Sequence, residues 1–452
     1  MQKQHDFTSG SIVKQLFVFS GPIMFTNLLQ VSYQFADSLW VGNLLGANAL
    51  GAVAIASTVI FTILSFIIGI NNTTLTVLSQ QKGKDNHQGL KRYLNAFVVT
   101  LTMMAVVLGL IGFIASESIL KLLGTPEAML IDAKVYLQIN ALGILFLLGY
   151  NFIGTVLRAL GDSRTPLRFV ILAVILNIIL DPIFIAVLDF GITGAAYATV
   201  TAQGAAFIYG MIHVIRNELV PFQVPSFPSK DEVKLILNLG IPSGLQMSVI
   251  SAGVAAIMSV VTSHGEAVVA GFSAAQRLDS LVMLPAIALG TAVNSMAGQN
   301  IGVNKWDRVR QISKYGVIYN LSIMLFIALL IILFAQYGIE LFIQDPVAVE
   351  FGARYLTIIA FFYPFLGLNF ILNGIVRASG AMYQVLVLNI ISFWILRYPL
   401  TYLCSTLFGS DGIAYGMGLS FVISSILAYL YYKYGKWQDR ELFKQKEVIS
   451  KG

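Results

Sequence analysis

Five ionisable side chains stand inside long apolar stretches of this sequence: Asp37, Asp181, Arg277, Asp279 and Arg397. An aspartate at the centre of a membrane-spanning helix costs roughly 2.5–3.5 kcal/mol on insertion scales, so a buried acid in such a stretch points to function. Asp37 lies within the segment YQFADSLW, with Tyr33 four residues earlier on the same helical face. Asp181 sits in LNIILDP, with Asn177 placed likewise, and Asn151, Thr199, Thr201 and Gln203 add amides and hydroxyls at comparable depth. Apolar surroundings disfavour the charged form of a carboxyl, which suits it to carrying a proton. The same carboxylates, with Asn177 and Thr199 oxygens beside them, could instead ligate Na⁺. Both roles stay open at this level.

The other candidates carry weaker chemistry. Arg277 and Asp279 are two residues apart, so they do not face each other on a helix, and each is expected to pair with another helix. Arg397, with Trp394 close by, reads as a gate, an anion site or a buried pair. Pro22 removes a backbone hydrogen bond from the helix that holds Asp37 and is the hinge candidate. Met247, Met258 and Met283 are adaptable and polarizable, as a promiscuous pocket needs. With Asp37 and Gln34 they make the expected substrate-binding set. His5, His87, His213 and His264 lie far apart without metal-ligand spacing, and the single cysteine, Cys404, cannot form an internal disulfide. No bound metal or organic cofactor is expected beyond a coupling ion, H⁺ or alternatively Na⁺.

What positions these residues follows from composition. Of 452 residues 57% are hydrophobic and only 11% charged, against about 25% charged in a soluble domain. Too little charge is present to cover a water-facing surface, which excludes a cytosolic enzyme, a secreted disulfide scaffold and a disordered chain. The net charge of +6 is spread between apolar stretches, so no nucleic-acid partner is expected. Twelve apolar segments have spanning length: 14–38, 50–75, 93–115, 132–157, 166–188, 192–215, 233–260, 268–295, 313–335, 351–376, 385–408 and 412–433. Period-two patterns are not evident, so the fold class is all-α. The first segment has no cleavage-site pattern and reads as a retained helix. Placing the N-terminus inside puts 23 of the 28 Lys and Arg residues on the cytoplasmic side. A multi-pass protein of the cell membrane, with both termini cytoplasmic, is the expectation.

Self-comparison reveals a repeat. Gly21, Gly46, Gln80, Gly83, Arg158, Ala159 and Gly161 recur 219 residues later as Gly240, Gly265, Gln299, Gly302, Arg377, Ala378 and Gly380. The division is therefore a six-helix lobe over 1–219, a cytoplasmic linker over 220–232, a second six-helix lobe over 233–433 and a basic tail over 434–452. An even number of spans makes the lobes parallel and pseudo-symmetric about a central cavity, an arrangement suited to alternating access. The repeat places Ala256 opposite Asp37 and, after a slip of register, Tyr398 opposite Asp181. Needs of the scaffold would be shared by both halves, so the two acids read as added chemistry.

The motifs GPIMFTNLLQ, FADSLWVGNLLGANALGA and VLRALGDSRTP, with their second-half counterparts GIPSGLQMSV, SAAQRLDSLVMLPAIALGTAVNSMAGQNIG and GIVRASG, carry a resemblance across nearly the whole chain. The sequence resembles the multidrug and toxic compound extrusion (MATE) transporters, most closely their DinF-like prokaryotic branch. The resemblance implies a cation-driven antiporter that expels lipophilic, mostly cationic drugs; a functional monomer in contact with membrane lipid is the expectation for its partners. It puts the coupling acids on Asp37 and Asp181, the surrounding polar set on Tyr33, Asn151, Asn177 and Thr199, and helix bending on Pro22. Some relatives hold Na⁺ through second-lobe acids on the seventh and tenth spans, whose segments here, GIPSGLQMSVISAG and YPFLGLNFILNGIV, contain none. Proton coupling at Asp37 is therefore the expected mechanism. A flippase of lipid-linked precursors is the rival; it calls for a strongly cationic cavity, whereas only Arg277 and Arg397 are expected to be buried. A membrane enzyme would need a nucleophile–base pair or metal cluster at depth, and neither is evident.

Overall fold

The computed structural model describes residues 5–443. Lys3 and the tail residues 444–452, with Lys444, Lys446 and Lys451, lie outside the described residues. Every regular element within them is helical. The spans are α1 (Ile12–Leu45), α2 (Ala47–Gly83), α3 (His87–Ile114), α4 (Glu127–Ala159), α5 (Arg164–Pro182), α6 (Gly191–Arg216), α7 (Lys230–Thr262), α8 (Glu266–Gly302) and α9 (Trp306–Glu340). Span α10 is broken, Pro346–Ala360 then Tyr363–Ala378, with a bend of 54°. Pro364, in the first turn of the second piece, cannot supply an N–H to a continuous ladder. Span α11 runs Met382–Ile390, a π-helical Ile391–Arg397 and Tyr398–Phe408, and α12 is Gly412–Tyr434.

The 53-residue run Met382–Tyr434 would extend about 80 Å if straight, against a hydrocarbon core of about 30 Å. It turns back at Gly409, whose φ of +66° ends α11, and α12 then packs along α11. The crossings therefore number twelve, as the hydropathy reading has it, although most helices run several residues past the apolar segments. Helix starts follow local chemistry. Ser229 and Glu232 form a reciprocal capping box on α7, and Asp345 accepts from the Ala348 N–H at 2.9 Å ahead of Pro346. Phe326, Leu333 and Phe334 on α9 point outward, which suits a lipid-facing surface.

Packing divides the chain less simply than the repeat does. The outer part of α1, around Val41, joins a core with Ala52, Ala56 and Tyr136 of the first lobe. Its first turns, Ile12 to Ile23, pack instead with Ala288 to Ile301 of α8 and Ile371 to Val376 of α10. Span α7 repeats the exchange: Ile236 and Leu239 join the first-lobe core, Ile257 and Val261 the second. Each crossing helix carries a proline at the changeover, Pro22 and Pro242. At Pro22 the helix stays continuous, and the Thr26 hydroxyl donates to the Pro22 carbonyl at 2.8 Å.

At the end bearing both termini, α2 and α8 interlock the lobes. The Gln80 amide donates to the Ala378 carbonyl at 2.6 Å, and its repeat partner Gln299 donates to Ala159 at 3.0 Å. Thr76 likewise reaches the Arg377 carbonyl at 3.3 Å and Ser295 the Arg158 carbonyl at 2.7 Å. Orphan carbonyls at the ends of α10 and α4 thus find donors on the opposite lobe. Phe7 wedges in below: its N–H donates to Gln299 and its carbonyl accepts from Asn300 and Arg308. Gly83 and Gly302 permit this approach, since a Cβ on them would stand 1.9 Å from the Gln299 carbonyl oxygen and 2.3 Å from that of Gln80.

Gly83→Val is therefore expected to open the termini-bearing end. In a Cys404→Ser background carrying Ser295→Cys, maleimide labelling from that side should rise on the order of tenfold, a common size for a shift between two states. Equal labelling with and without Gly83→Val would remove the interlock's role in closure.

Candidate functional site

Two polar regions occupy the interior. The first belongs to the first lobe and collects Asp37 and Tyr33 of α1, Tyr136 of α4, Asn177 and Asp181 of α5 and Thr199 of α6. Asp181 is 0% exposed and Asp37 8%. Asn177 Nδ2 donates to Asp181 Oδ1 at 3.1 Å, across the four-residue spacing read from the sequence. Tyr33 and Tyr136 lie within electrostatic reach of both acids. Tyr136 is absent from the sequence-based set; an isolated tyrosine in an apolar helix gives no periodic signal. Asp181 and Pro182 do not end in a plain turn: the helix passes into a π-helical Ile183–Val187, because Pro182 has no N–H for the regular ladder.

Four buried oxygens of this cluster have no hydrogen-bond partner: Asp37 Oδ1, Asp181 Oδ2, Asn177 Oδ1 and Thr199 Oγ1. A buried acceptor left unpaired costs about 1–3 kcal/mol. Such a set of acceptors suits a proton on one carboxyl, which supplies a donor to a neighbour, or a hard cation that takes oxygen ligands.

The second region is a cavity of about 430 Å³ between the lobes. That volume is drug-sized. Its floor lies against the interlocked ends of α4 and α10, so the cavity is closed toward the end bearing the termini. The wall mixes apolar side chains such as Ile68, Met247, Ile250 and Met283 with amides such as Asn27, Asn71, Gln246 and Asn373. Asn151 belongs to this wall, where its carbonyl accepts from Asn71 at 3.5 Å. Met258 packs instead beside the second-lobe core, and Gln34 is exposed on α1 away from the cavity lining. Neither Asp37 nor Asp181 lines the cavity.

The arginines differ from expectation. Arg277 is exposed, with its guanidinium 5.6 Å from the Phe342 ring centroid. Arg158 and Arg377, two of the 23 basic residues that the sequence places on the cytoplasmic side, turn into the cavity with Arg397. Three guanidiniums therefore line the interior, and the expectation of Arg277 and Arg397 as the buried pair is corrected. The cause is the repeat: each lobe ends a helix at the cavity floor with an arginine whose chain folds back inside. Asp279 pairs with another helix as expected, accepting from the Tyr355 hydroxyl at 3.3 Å and from Tyr363 of α10.

Among known families, the MatE model matches residues 22–183 and 242–403, one match per lobe. The chain is 60% identical to the probable multidrug resistance protein YpnP of Bacillus subtilis, over 98% of this chain and 100% of that one. It is 25% identical to the FAD transporter of Shewanella oneidensis, over 95% of this chain and 96% of that one. A solved multidrug resistance MATE family transporter in an outward-facing conformation superposes with a TM-score of 0.90 at 24% identity, over 96% and 98% of the two chains.

Removing the amide that supports Asp181 is expected to weaken the first lobe. Asn177→Leu, close in volume, should lower stability by about 1–3 kcal/mol, the cost of an unpaired buried polar group. A detergent-solubilised thermal melt unchanged from wild type would argue that the Asn177–Asp181 contact is energetically idle.

Proposed function

The chain belongs to the MatE family, whose members are transporters and not enzymes, and from that premise we propose that it exports lipophilic drugs in exchange for inward protons. The observation that carries this reading is the pair of first-lobe acids, Asp37 and Asp181, each with a buried oxygen that lacks a partner. The positive-inside bias puts the termini-bearing end in the cytoplasm. The closed floor then corresponds to an outward-facing state.

In that state a proton arriving from outside binds Asp37 or Asp181. The neutral carboxyl loosens its hold on the neighbouring amide, as at Asn177–Asp181, and becomes a donor to one of the orphan oxygens. Span α1 repacks around Pro22. Because the first turns of α1 are part of the second-lobe core, movement of its outer part transmits to the interface between lobes. The drug leaves outward, and the protonated site favours return to the inward-facing state. Each ligand moves the equilibrium only through its different affinity for the two states.

A second reading has the same architecture with Na⁺ as the coupling ion. It is favoured by the four orphan oxygens of Asp37, Asp181, Asn177 and Thr199, a donor set of the kind a hard cation takes. Cargo among the relatives ranges from drugs to FAD, so the cargo's charge is read below from this chain's own cavity.

Proteoliposomes loaded with ethidium and given separate pH and Na⁺ gradients test the coupling. Export driven by the pH gradient alone is expected; export driven by Na⁺ alone would replace the proton with the second reading. Asp37→Asn and Asp181→Asn should each cut gradient-driven export by roughly tenfold or more, the loss of about 1.4 kcal/mol of coupling. Wild-type export by both variants would sink the assignment of the acids.

A further inference from the structure

Arg158, Arg377 and Arg397 all line the central cavity, and no carboxylate lines it among the described residues. None of the three belongs to any of the seven ion pairs of the described residues, which involve Arg92, Arg310, Arg354, three acid–lysine or acid–histidine contacts and a second Arg354 contact. A buried guanidinium without a counter-charge costs several kcal/mol. For Arg158 and Arg377 the negative ends of α4 and α10 offset part of that cost. Even so, the Nε of each is buried without an acceptor. The partner Arg158 does have is neutral, the Thr155 hydroxyl at 2.9 Å.

Arg397 gains nothing from a helix end. It closes the π-helical turn of α11, is only 4% exposed, and donates from Nε to Ser420 at 3.3 Å. The rings of Phe393 and Phe421 hold the guanidinium, with centroids at 3.8 and 4.7 Å. Aromatic contacts orient the cation and leave its charge uncompensated. The rest of the wall is apolar or amide-bearing, with Met283, Ile287 and Phe370 among its apolar side chains and Asn71 and Asn373 presenting orphan Oδ1 atoms.

We propose that the central cavity binds an amphiphilic organic anion, its carboxylate or phosphate held by Arg397 and its apolar body by the methionine- and phenylalanine-bearing wall, with Arg158 and Arg377 at the floor adding positive potential. This rests on the reading of the cavity as the cargo compartment of the exporter. The guanidiniums supply the planar, multi-donor geometry that carboxylate and phosphate oxygens accept. The cation-attracting acids stand apart, on the first-lobe side and outside the cavity lining, so the anion position is separate from the coupling site. The same chemistry could arrive as a lipid phosphate head group or as a soluble organic acid.

Binding to the purified full chain in dodecyl maltoside tests this, read by fluorescence anisotropy of carboxyfluorescein and ethidium. Carboxyfluorescein is expected to bind the wild type more tightly than ethidium. Arg397→Gln should weaken it by roughly tenfold or more while Arg397→Lys loses less, since a charged hydrogen bond is lost only in the former. If Arg397→Gln fails to fold by size-exclusion and melting, the double variant Arg158→Gln/Arg377→Gln is read instead. Displacement by dihexanoyl phosphatidic acid alone assigns the anion to lipid, and displacement by 1-naphthyl phosphate alone assigns it to a soluble acid. Displacement by neither, or equal carboxyfluorescein affinity in all variants, overturns the proposal. Ethidium export with no anion binding would leave the transport reading standing without this one; arginine-dependent binding with no gradient-driven export would do the reverse.

Discussion

The two glutamine amides at the end bearing the termini set the geometry of everything above them. Gln80 and Gln299 each donate to a helix-end carbonyl of the opposite lobe, Ala378 and Ala159. Main-chain carbonyls at helix ends must find donors, and in an apolar medium water supplies none. Satisfying them across the interface holds the lobes together at one end and leaves a cavity beyond. Glycine at positions 83 and 302 is what allows the backbones to approach so closely. The same contact fixes where Arg158 and Arg377 begin, one residue before the bonded carbonyls, and so aims two positive charges at the cavity floor.

A second constraint is the exchange of α1 between cores. Its first turns pack with the second lobe and its outer turns with the first, with Pro22 at the changeover. A helix shared in this way cannot shift near Asp37 without disturbing contacts near α8. Packed interiors respond to such a shift by switching arrangement more than by gradual yielding. Asp37 thus stands on a helix that both lobes hold.

The sequence reading of the acid cluster was rich because helical spacing is a local property. Asn177 and Asp181 are four apart, and the structure joins them by a hydrogen bond. Tyr33, Thr199 and the two acids also converge. Less was legible where a contact depends on which wall a helix face meets. Asn151 stands at a plausible depth for the cluster yet belongs to the central cavity, and Met258 packs with the second-lobe core while Met247 and Met283 line the cavity. A run of methionines on amphiphilic spans does not disclose which of them turns toward solvent-accessible space.

Low charge, segment length and recurring motifs are written along the chain, and they are enough to specify the all-helical membrane class, the twelve crossings, the parallel repeat and the family. Asp37 and Asp181 are legible in the same way, since a carboxyl in an apolar stretch is conspicuous wherever the helix goes. The character of the cavity, by contrast, emerges only when the two lobes are packed together. Arg158 and Arg377 follow spans at positions that the sequence places on the cytoplasmic side, and their side chains become interior only because the opposite lobe covers them. Arg277, central in its apolar segment, proves exposed. Burial of a charge depends on what packs over it, and that is a property of two lobes meeting.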